Sequence, residues 1–397
     1  MRILQVTPYY EPEFQLGGIV RSTSILCRQL VELGHDVTVY ATQSAAVRER
    51  APLHAAVDVG GVQVVYFRNV LRGFGFGPAM IAAARHVGRF EIVHVAAFWQ
   101  FFGLPVLLAG IRGGVPTVVS PRGSLVMVHD RQRRSLKHRA FYWAINHPIL
   151  ERVSAIHFTA ENERADALRL GLGTPSFRVP NALPVEEFAE LPDRTSARRD
   201  LGIDPGGSVV LFLGRLDRRK ALDLLVRAFA QQTGGRADAL LILAGPDYGE
   251  EAMLRRLVAE LKLRDRVRFT GLVDARERAR LFAAADLCVL TSHAENFGNA
   301  AGEAMAAGLP VLVSDSCGIA EHVAEYDAGR VVPVDVDAIA AGIGALLANM
   351  TLLPELGRNA RRLVTERYAA RAVATTMARA YQDLLTGGRS AECFWTP

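Results

Sequence analysis

Apolar and polar positions along the chain form two kinds of pattern, which alternate from the N-terminus onward. Short runs rich in β-branched residues, bounded by turn residues, predict six strands in the first half: Ile3–Thr7, Val37–Ala41, Val62–Phe67, Ile92–Val95, Thr117–Ser120 and Ala155–Phe158. Helical patterns lie between them, such as Ser22–Leu33, which Gly34 ends. Strands that alternate with helices indicate parallel sheets with helices on both faces.

This alternation is interrupted near the middle of the chain. Prolines at 180 and 184 lead into a polar, arginine-rich segment that extends to Leu201, and we interpret this segment as a linker. A second series of strand patterns follows: Val209–Leu213, Leu240–Ala244, Val267–Thr270, Leu287–Thr291, Val311–Ser314 and Arg330–Pro333.

The two series predict an α/β protein of two doubly wound, Rossmann-like domains that face a central cleft. The predicted domains are residues 1–185 and 190–368, and we expect a last helix at about 369–386 to cross back to the first domain. In such folds the ligand binds at the carboxyl ends of the strands.

Composition supports a globular protein of this size. The chain has 397 residues, half of them apolar, which suits two hydrophobic cores. Its four cysteines have no paired spacing, which argues against a zinc site or a disulfide framework and is typical of a reducing compartment. Residues 1–6 predict a strand rather than a signal peptide, and no apolar stretch is long enough to span a bilayer, so we expect a cytoplasmic protein.

The net charge of +5 is concentrated in the first half. Residues 1–190 hold 20 Lys and Arg against 15 Asp and Glu, and residues 129–153 carry six basic and two acidic side chains. The basic segment Arg131–Arg139 is followed by the aromatic residues Phe141, Tyr142 and Trp143. This mixture of cations and aromatic residues suits peripheral contact of 131–145 with the inner face of an anionic membrane. The alternative is an ordinary helix face exposed to solvent. Nucleic acid is the poorer interpretation because no recognition motif accompanies the charge.

Two glycines follow the first strand, in the loop Gln15-Leu16-Gly17-Gly18-Ile19-Val20. Glycines between a strand and a helix allow backbone amides to approach a phosphate. The loop has no Gly-x-Gly-x-x-Gly and no acidic residue placed for a dinucleotide ribose, so an ordinary tight turn explains it equally well.

A basic loop follows the first strand of the second series and reads Gly214-Arg215-Leu216-Asp217-Arg218-Arg219-Lys220. Arg215 and Lys220 lie where a buried strand meets the expected cleft, before a helix predicted at Asp223–Ala230. Two fixed cations there can clamp a diphosphate and stabilise a departing nucleotide. Solvated loop cations are the alternative.

Two carboxylates, Glu295 and Glu303, stand eight positions apart around a glycine- and asparagine-rich stretch. A small-residue helix is predicted to start near Asn299, which turns three amides outward at its positive end, those of Phe297, Gly298 and Asn299. Each carboxylate can accept hydroxyl hydrogen bonds from a ribose or a hexose. An ordinary capped helix with two surface glutamates is the alternative.

Together these motifs resemble the retaining, nucleotide-sugar-dependent glycosyltransferases of the two-Rossmann (GT-B) type, in the glycogen-synthase-like branch (family 4, group 1). The resemblance covers nearly the whole chain. It rests on the Gly17-Gly18 loop, Gly214-Arg215-Leu216-Asp217-x-x-Lys220, Ala244-Gly245, Phe269-Thr270-Gly271, Glu295-x7-Glu303 and Met305-Ala306-x-Gly308-x-Pro310. Each motif is modest evidence, and their common order is specific.

The resemblance implies a role for each site residue. Arg215, Lys220 and Glu295 are the implied catalytic residues, with the two cations on the diphosphate and Glu295 on the sugar. Glu303 is implied to accept the ribose hydroxyls. The remaining donor contacts are backbone groups of Gly17, Gly18, Gly214, Leu272, Val273, Phe297, Gly298 and Asn299.

The implied reaction retains the anomeric configuration and uses neither a metal ion nor a cofactor beyond the nucleotide-sugar co-substrate. Asp335-Val336-Asp337 spells the Asp-x-Asp of metal-using transferases, but it stands between a strand and a helix at Ala338–Leu347. We therefore interpret Asp337 as a helix N-cap.

The chain departs from the family pattern near residue 120. Many relatives carry a histidine after this strand, where this chain has Arg122. Arg122 is a candidate contact to a donor hydroxyl, a phosphate or an anionic acceptor, and a structural role is equally open. His94, at the end of its strand, is a second candidate for an acceptor or sugar contact, with a structural histidine as the stronger alternative.

The sequence thus predicts a transferase that moves a sugar from a nucleoside-diphosphate sugar to a saccharide or lipid-linked acceptor, in exopolysaccharide, lipopolysaccharide or glycolipid assembly. The alternatives are a sugar-nucleotide epimerase or hydrolase of the same fold, and a non-catalytic nucleotide-sugar-binding protein. The intact set of Arg215, Lys220, Glu295 and Glu303 argues against a mere binding protein.

Overall fold

The structure is a computed structural model, and it describes residues 1–14, 17–43, 47, 52–68, 78–97, 101–125, 140–233, 238–387 and 394–395. The chain forms two compact units. The first unit is Met1–Ala182 together with Ala370–Pro397, and the second unit is Leu183–Ala369.

The first unit is built on a nine-stranded sheet. Its strands are β1 (Arg2–Val6), β2 (Asp36–Gln43), β3 (Ala56–Val59), β4 (Val62–Arg68), β5 (Ile92–Ala96), β6 (Thr117–Ser120), β7 (Ala155–Phe158), β8 (Ser176–Arg178) and β15 (Phe394–Trp395). They lie in the order β15-β8-β7-β6-β5-β1-β2-β4-β3. The two outermost strands, β3 and β15, pair antiparallel with their neighbours, and the other pairs are parallel.

Helices cover both faces of this sheet. They are α1 (Gly18–Glu32), α2 (Pro78–Ala84), α3 (Leu104–Arg112), α4 (His147–Leu150), α5 (Glu161–Arg169) and α14 (Ala370–Thr386). Ile3 belongs to a buried cluster with α1 and α14, whereas its neighbour Leu4 belongs to a separate cluster with α3. Because successive strand residues point to opposite faces, the sheet has a core on each side. The last helix of the chain therefore completes the core of the first unit.

The second unit has a six-stranded parallel sheet. Its strands are β9 (Ser208–Leu213), β10 (Ala239–Ala244), β11 (Val267–Gly271), β12 (Leu287–Leu290), β13 (Val311–Ser314) and β14 (Gly329–Val332), in the order β11-β10-β9-β12-β13-β14. The helices are α6 (Arg194–Asp200), α7 (Leu222–Thr233), α8 (Glu251–Glu260), α9 (Ala275–Ala284), α10 (Asn299–Ala306), α11 (Ala320–Glu325), α12 (Val336–Ala348) and α13 (Leu353–Arg367).

All twelve strands expected from the sequence are present, and their ends differ from the expected ones by at most two residues. The strands that the sequence pattern did not reveal are the short β3, β8 and β15. Both doubly wound, Rossmann-like sheets are therefore confirmed.

The interpretation of residues up to Leu201 as a linker is wrong in its second half. Residues Arg194–Asp200 form α6, and Asp193 caps this helix by accepting from the amide of Ser196 at 2.9 Å. Arg198 on this helix is 3% exposed and pairs with Asp286 at 2.9 Å. The arginines that made the segment resemble a linker thus include one that anchors a helix to the sheet.

The N-cap assigned to Asp337 is also wrong, by two residues. Asp335 caps α12, because its carboxylate accepts from the amides of Asp337 and Ala338 at 2.9 and 3.1 Å. Asp337 lies in the first turn of the helix, where the positive end of the helix dipole stabilises its negative charge.

In the described part of the chain, no single helix is long and apolar enough to cross a membrane. By length and composition alone, the bent pair of α12 and α13, which meet at 111°, passes the same test.

Candidate active site

The topology of the second unit brings two loops together at the carboxyl edge of its sheet. Strand β9 lies between β10 and β12, so the chain leaves β9 toward one side of the sheet and later returns to its other side. Ligands of doubly wound folds bind where the strand order switches in this way. The two loops at this switch point are 214–220, after β9, and 291–298, after β12.

Lys220 and Glu295 form an ion pair between these two loops, and their side chains are only 15% and 19% exposed. Lys220 ends a short 3-10 turn, Arg218–Lys220, which Asp217 caps by accepting from the amide of Arg219 at 2.9 Å. The amide of His293 donates to the carbonyl oxygen of Arg219 at 2.8 Å. This backbone contact holds the two loops together and sets the position of the ion pair.

Arg215 lies on the same loop as Lys220. Its guanidinium stacks on the ring of Tyr248, 4.9 Å from the ring centroid, and lies 3.5 Å from the carboxylate of Asp217. Burial raises the pKa of Asp217, but the charge of Arg219 and its hydrogen bonds outweigh this effect, so the pKa lies below its usual value. Asp217 is therefore a fixed negative charge between the cations of this loop.

The glycines at the strand ends allow close approach of the backbone. Gly245 has φ +143°, and a β-carbon there would lie 1.9 Å from the carbonyl oxygen of Gly214. Gly214 donates to Ala244 at 2.9 Å, and Gly245 donates to Gly271 at 2.8 Å. The loops after β9, β10 and β11 are thus linked side by side at the carboxyl edge.

Helix α10 begins at Asn299, where the sequence predicted it. Gly298 has φ +107°, and a β-carbon there would lie 2.7 Å from the sulfur of Cys317, so only glycine fits this N-cap. The stretch before the helix pairs with the loop after β13, because Gly318 and Ile319 donate to the carbonyl oxygens of Glu295 and Phe297, each at 3.0 Å. The helix start is therefore rigidly held.

The side chain of Phe297 is buried and packs edge-on against Tyr368, with the ring centroids 5.1 Å apart. It is therefore the backbone of Phe297, rather than its ring, that is available at the helix start. An anion near α10 would meet backbone amides and the positive end of the helix.

Glu303 lies inside α10 and is 5% exposed. Its Oε2 is 3.2 Å from Nη1 of Arg278, a residue of α9 that the sequence analysis missed. In the sequence nothing distinguishes Arg278 from Arg276 and Arg280, which lie on the same helix.

Leu272 and Val273 form the short connection between β11 and α9. Leu272 is 63% exposed, while Val273 packs against the core of the second unit. Asp274 and Glu277 then cap α9 reciprocally, with hydrogen bonds of 2.8 and 2.9 Å. A rigid cap thus fixes the backbone of the predicted base contact.

In the first unit, Gly17 is the N-cap of α1, with φ +114°, and its amide donates to Phe14 at 3.2 Å. The helix begins at Gly18, four residues before the predicted start. The two glycines thus form the helix N-terminus itself, although Gln15 and Leu16 lie outside the described residues.

Arg122 sits on a turn after β6 with φ +53°. Its guanidinium donates to the side-chain oxygen of Asn181, and it forms no ion pair with any carboxylate in the described ranges. The nearby Glu163 instead accepts from the amide of Gly123 at 2.6 Å and from the amide and hydroxyl of Thr159 at 2.8 Å each. Burial lowers the pKa of Arg122, and the charge of Glu163 opposes this.

His94 is fully buried, contrary to its candidacy as an acceptor contact. Its Nδ1 lies 2.6 Å from the hydroxyl of Tyr381, and its Nε2 lies 3.4 Å from Nδ1 of His157. Burial lowers the pKa of His94 well below its usual value, and His157 and Arg122 add to this. His94 is therefore a structural residue in this conformation, because no surface of it is open to a sugar.

The basic segment Arg131–Arg139 lies outside the described residues. Of the aromatic residues that follow it, Tyr142 is buried and Trp143 is 50% exposed.

Comparison with known proteins agrees with this architecture. The family model described as "Glycosyl transferases group 1" matches residues 193–363, and that described as "Glycosyl transferase 4-like domain" matches residues 17–182. Phosphatidyl-myo-inositol mannosyltransferase of Mycolicibacterium smegmatis is 29% identical over 399 residues, which cover 98% of this chain and 95% of that protein.

Two solved structures share the fold over nearly the full length. Sucrose-phosphate synthase from Thermosynechococcus elongatus has a TM-score of 0.79 at 22% identity and covers 98% of this chain and 100% of its own. HepE of Anabaena, solved in complex with UDP, has a TM-score of 0.77 at 20% identity, and the match covers 96% of this chain and 100% of the HepE chain.

The two parallel sheets and the likeness to these solved structures define the GT-B class of fold. The two family models together span most of the chain, and both describe glycosyltransferases, as does the name of the mannosyltransferase relative. The chain belongs to the group 1 glycosyltransferases of family 4.

Proposed function

We propose that this glycosyltransferase transfers a sugar from a nucleoside-diphosphate sugar to a saccharide or lipid-linked acceptor, with retention of anomeric configuration and without a metal ion. The reaction would serve exopolysaccharide, lipopolysaccharide or glycolipid assembly. The observation that carries the proposal is the convergence of Arg215, Lys220 and Glu295 with the start of α10 at the switch point of the second sheet.

In this proposal the two cations stabilise the leaving nucleoside diphosphate. Lys220 is partly buried and held against Glu295, and Arg215 is fixed by Tyr248 and Asp217. Cations fixed before the reaction stabilise the charge that develops on the phosphate without having to reorganise. The amides at the start of α10 add the positive end of a helix.

The metal-independent mechanism follows from the same groups. Two cations and a helix N-terminus supply the charge stabilisation that a metal ion supplies in other transferases. The acceptor hydroxyl attacks the anomeric carbon from the face that the diphosphate leaves, and its proton passes to the departing phosphate oxygen. Glu295 orients the sugar hydroxyls while Lys220 engages the diphosphate.

The other donor contacts are assigned to neighbouring groups. Glu303 accepts the ribose hydroxyls, and the backbone of Leu272 and Val273 contacts the base. In the first unit, Gly17 and Gly18 present the amides at the start of α1 to an anionic group.

The acceptor class is proposed from Arg122 and from the relatives. The name of the mycobacterial mannosyltransferase specifies a phosphatidylinositol acceptor for that protein, which supports a lipid-linked acceptor here. Arg122 is a cation without an ion pair in the described chain, which suits an anionic group on the acceptor. We also propose a cytoplasmic location with peripheral contact of 131–145 on the inner face of the membrane.

A binding panel tests the donor class first. The purified protein is heated with UDP, GDP, ADP and the corresponding glucose and mannose conjugates, with EDTA present throughout. One nucleoside diphosphate is expected to stabilise the protein, by about 2.7 kcal/mol at a hundred times its dissociation constant. A protein that none of these ligands stabilises would contradict the proposed donor site.

A further inference from the structure

Arg278 of α9 is held in place by three groups. Its Nη1 lies 3.2 Å from Oε2 of Glu303, and its Nη2 lies 3.6 Å from Oε2 of Glu187. The guanidinium carbon is 5.5 Å from the centroid of the Phe188 ring. The side chain is only 14% exposed. Two carboxylates and an aromatic face thus fix both the position and the plane of the guanidinium.

This arrangement fixes the direction of the Glu303 carboxylate, which the proposed donor site uses to bind the ribose. The side chain of Glu303 is 6% exposed, so its charge is largely removed from water, and the guanidinium of Arg278 supplies an opposite charge next to it. A planar guanidinium also fixes the direction of a carboxylate, which the rounder ammonium of a lysine does not. Neighbouring ribose hydroxyls can both bind a carboxylate only when its oxygens point in the right direction.

Arg278 also stands close to the predicted base contact along the chain. It follows the connection Leu272–Val273 by a single helical turn, and the reciprocal cap of Asp274 and Glu277 makes that turn rigid. The base loop, the helix start and the partner of Glu303 therefore form one rigid element.

We propose that Arg278 is a positioning residue for the ribose of the donor, which it serves by holding Glu303 toward the 2′- and 3′-hydroxyls. This inference rests on the proposed donor site. It assigns to α9 a part in selecting ribonucleotides over deoxyribonucleotides.

The test compares ribose and deoxyribose ligands. Isothermal titration calorimetry measures binding of UDP, 2′-deoxy-UDP, GDP and 2′-deoxy-GDP to the wild type, Arg278→Gln and Arg278→Lys. For the base that the wild type prefers, Arg278→Gln is expected to reduce the preference for ribose about tenfold or more, since charge-assisted hydrogen bonds are lost. Arg278→Lys is expected to lose part of it. Binding of the deoxy form should weaken clearly less than binding of the ribose form, because the deoxy ligand lacks the 2′-hydroxyl and can contact Glu303 only through its 3′-hydroxyl.

Arg280→Gln is the matched control, because Arg280 lies on the same helix and pairs with Asp200 at 3.6 Å rather than with Glu303. It should keep the full ribose preference. If Arg278→Gln fails to fold, Glu187→Gln provides the second variant, since it removes the outer contact and should weaken the ribose preference about threefold.

The outcomes separate this inference from the proposed function. If Glu303→Gln abolishes the ribose preference and Arg278→Gln and Glu187→Gln preserve it, the donor site stands and the role of Arg278 is wrong. Equal loss of both ligands in Arg278→Gln, or tighter binding of the ribose form, also overturns the role. If Glu303→Gln keeps the preference, or if the wild type binds neither diphosphate, the assignment of the donor site itself fails.

Discussion

Replacing Lys220 by methionine tests the charge that the site offers to the leaving group. Methionine keeps most of the length of the side chain and removes the ammonium. Lys220 is held against Glu295 with only 15% of its side chain exposed, so the charge acts in a partly dry environment. At an effective dielectric constant of about 20, unit charges 4 Å apart interact by about 4 kcal/mol.

The expected loss in rate follows from this magnitude. Removing one fixed stabiliser of a developing anion costs about 2.7–4 kcal/mol, so we expect kcat to fall by about 10²–10³-fold. The donor KM should rise much less, because the charge on the diphosphate increases as the bond to the sugar breaks. The free energy of unfolding should also fall, by up to about 3 kcal/mol, because the substitution leaves the largely buried carboxylate of Glu295 without the charge of Lys220.

The assay is the release of nucleoside diphosphate from the preferred nucleotide sugar, with water as the acceptor if no other is known. Arg218→Met is the matched control, because Arg218 belongs to the same 3-10 turn and is exposed. It should keep activity within about threefold. If Lys220→Met were equally active, the assignment of Lys220 to the leaving group would be refuted.

Three further predictions concern the backbone, the buried histidines and the membrane. Gly245→Ala should lower the free energy of unfolding of the second unit by about 3 kcal/mol or more in denaturant titrations, because its β-carbon would lie 1.9 Å from Gly214, whereas Gly206→Ala should be nearly neutral because Asp204 is 3.9 Å away. Burial lowers the pKa of His157 to about 3, so the unfolded state binds its proton first, and stability is full above about pH 6.5 and declines as the pH falls toward 3. Urea midpoints of the first unit should therefore fall between pH 7.5 and 5.0, and the decline should be smaller in His157→Gln; equal declines would contradict the assignment. Finally, neutralising Arg133, Arg134 and Lys137 should weaken binding to vesicles that contain anionic lipid, and partitioning that is unchanged and insensitive to salt would argue against peripheral contact.

The strands of both sheets could be predicted because the pattern that identifies each strand lies within a few neighbouring residues. Strands such as Thr117–Ser120 and Val311–Ser314 are short runs rich in β-branched residues between turn residues, and the structure has the same ends. The start of α10 was also predictable, since Gly298 supplies a backbone conformation that other residues rarely adopt.

The pairs that the sequence did not reveal join distant positions. Arg198 and Asp286 are 88 residues apart, and nothing near either residue indicates its partner. Arg278 and Glu303 likewise lie on different helices, so only the fold shows that one orients the other. His94 was expected at a strand end, but it is the middle residue of β5 (Ile92–Ala96). Its buried side chain contacts Tyr381, which comes from the last helix of the chain and which no pattern near residue 94 indicates.

The central claim is that this protein breaks the bond between sugar and diphosphate with retention, through Arg215, Lys220 and Glu295. The most direct measurement is proton NMR of the sugar released from the preferred nucleotide sugar in EDTA, recorded before the anomers equilibrate. The account predicts that the first anomer released has the configuration of the donor, and that Lys220→Met slows its appearance. Release of the opposite anomer, or of the same anomer at an unchanged rate in Lys220→Met, would contradict it.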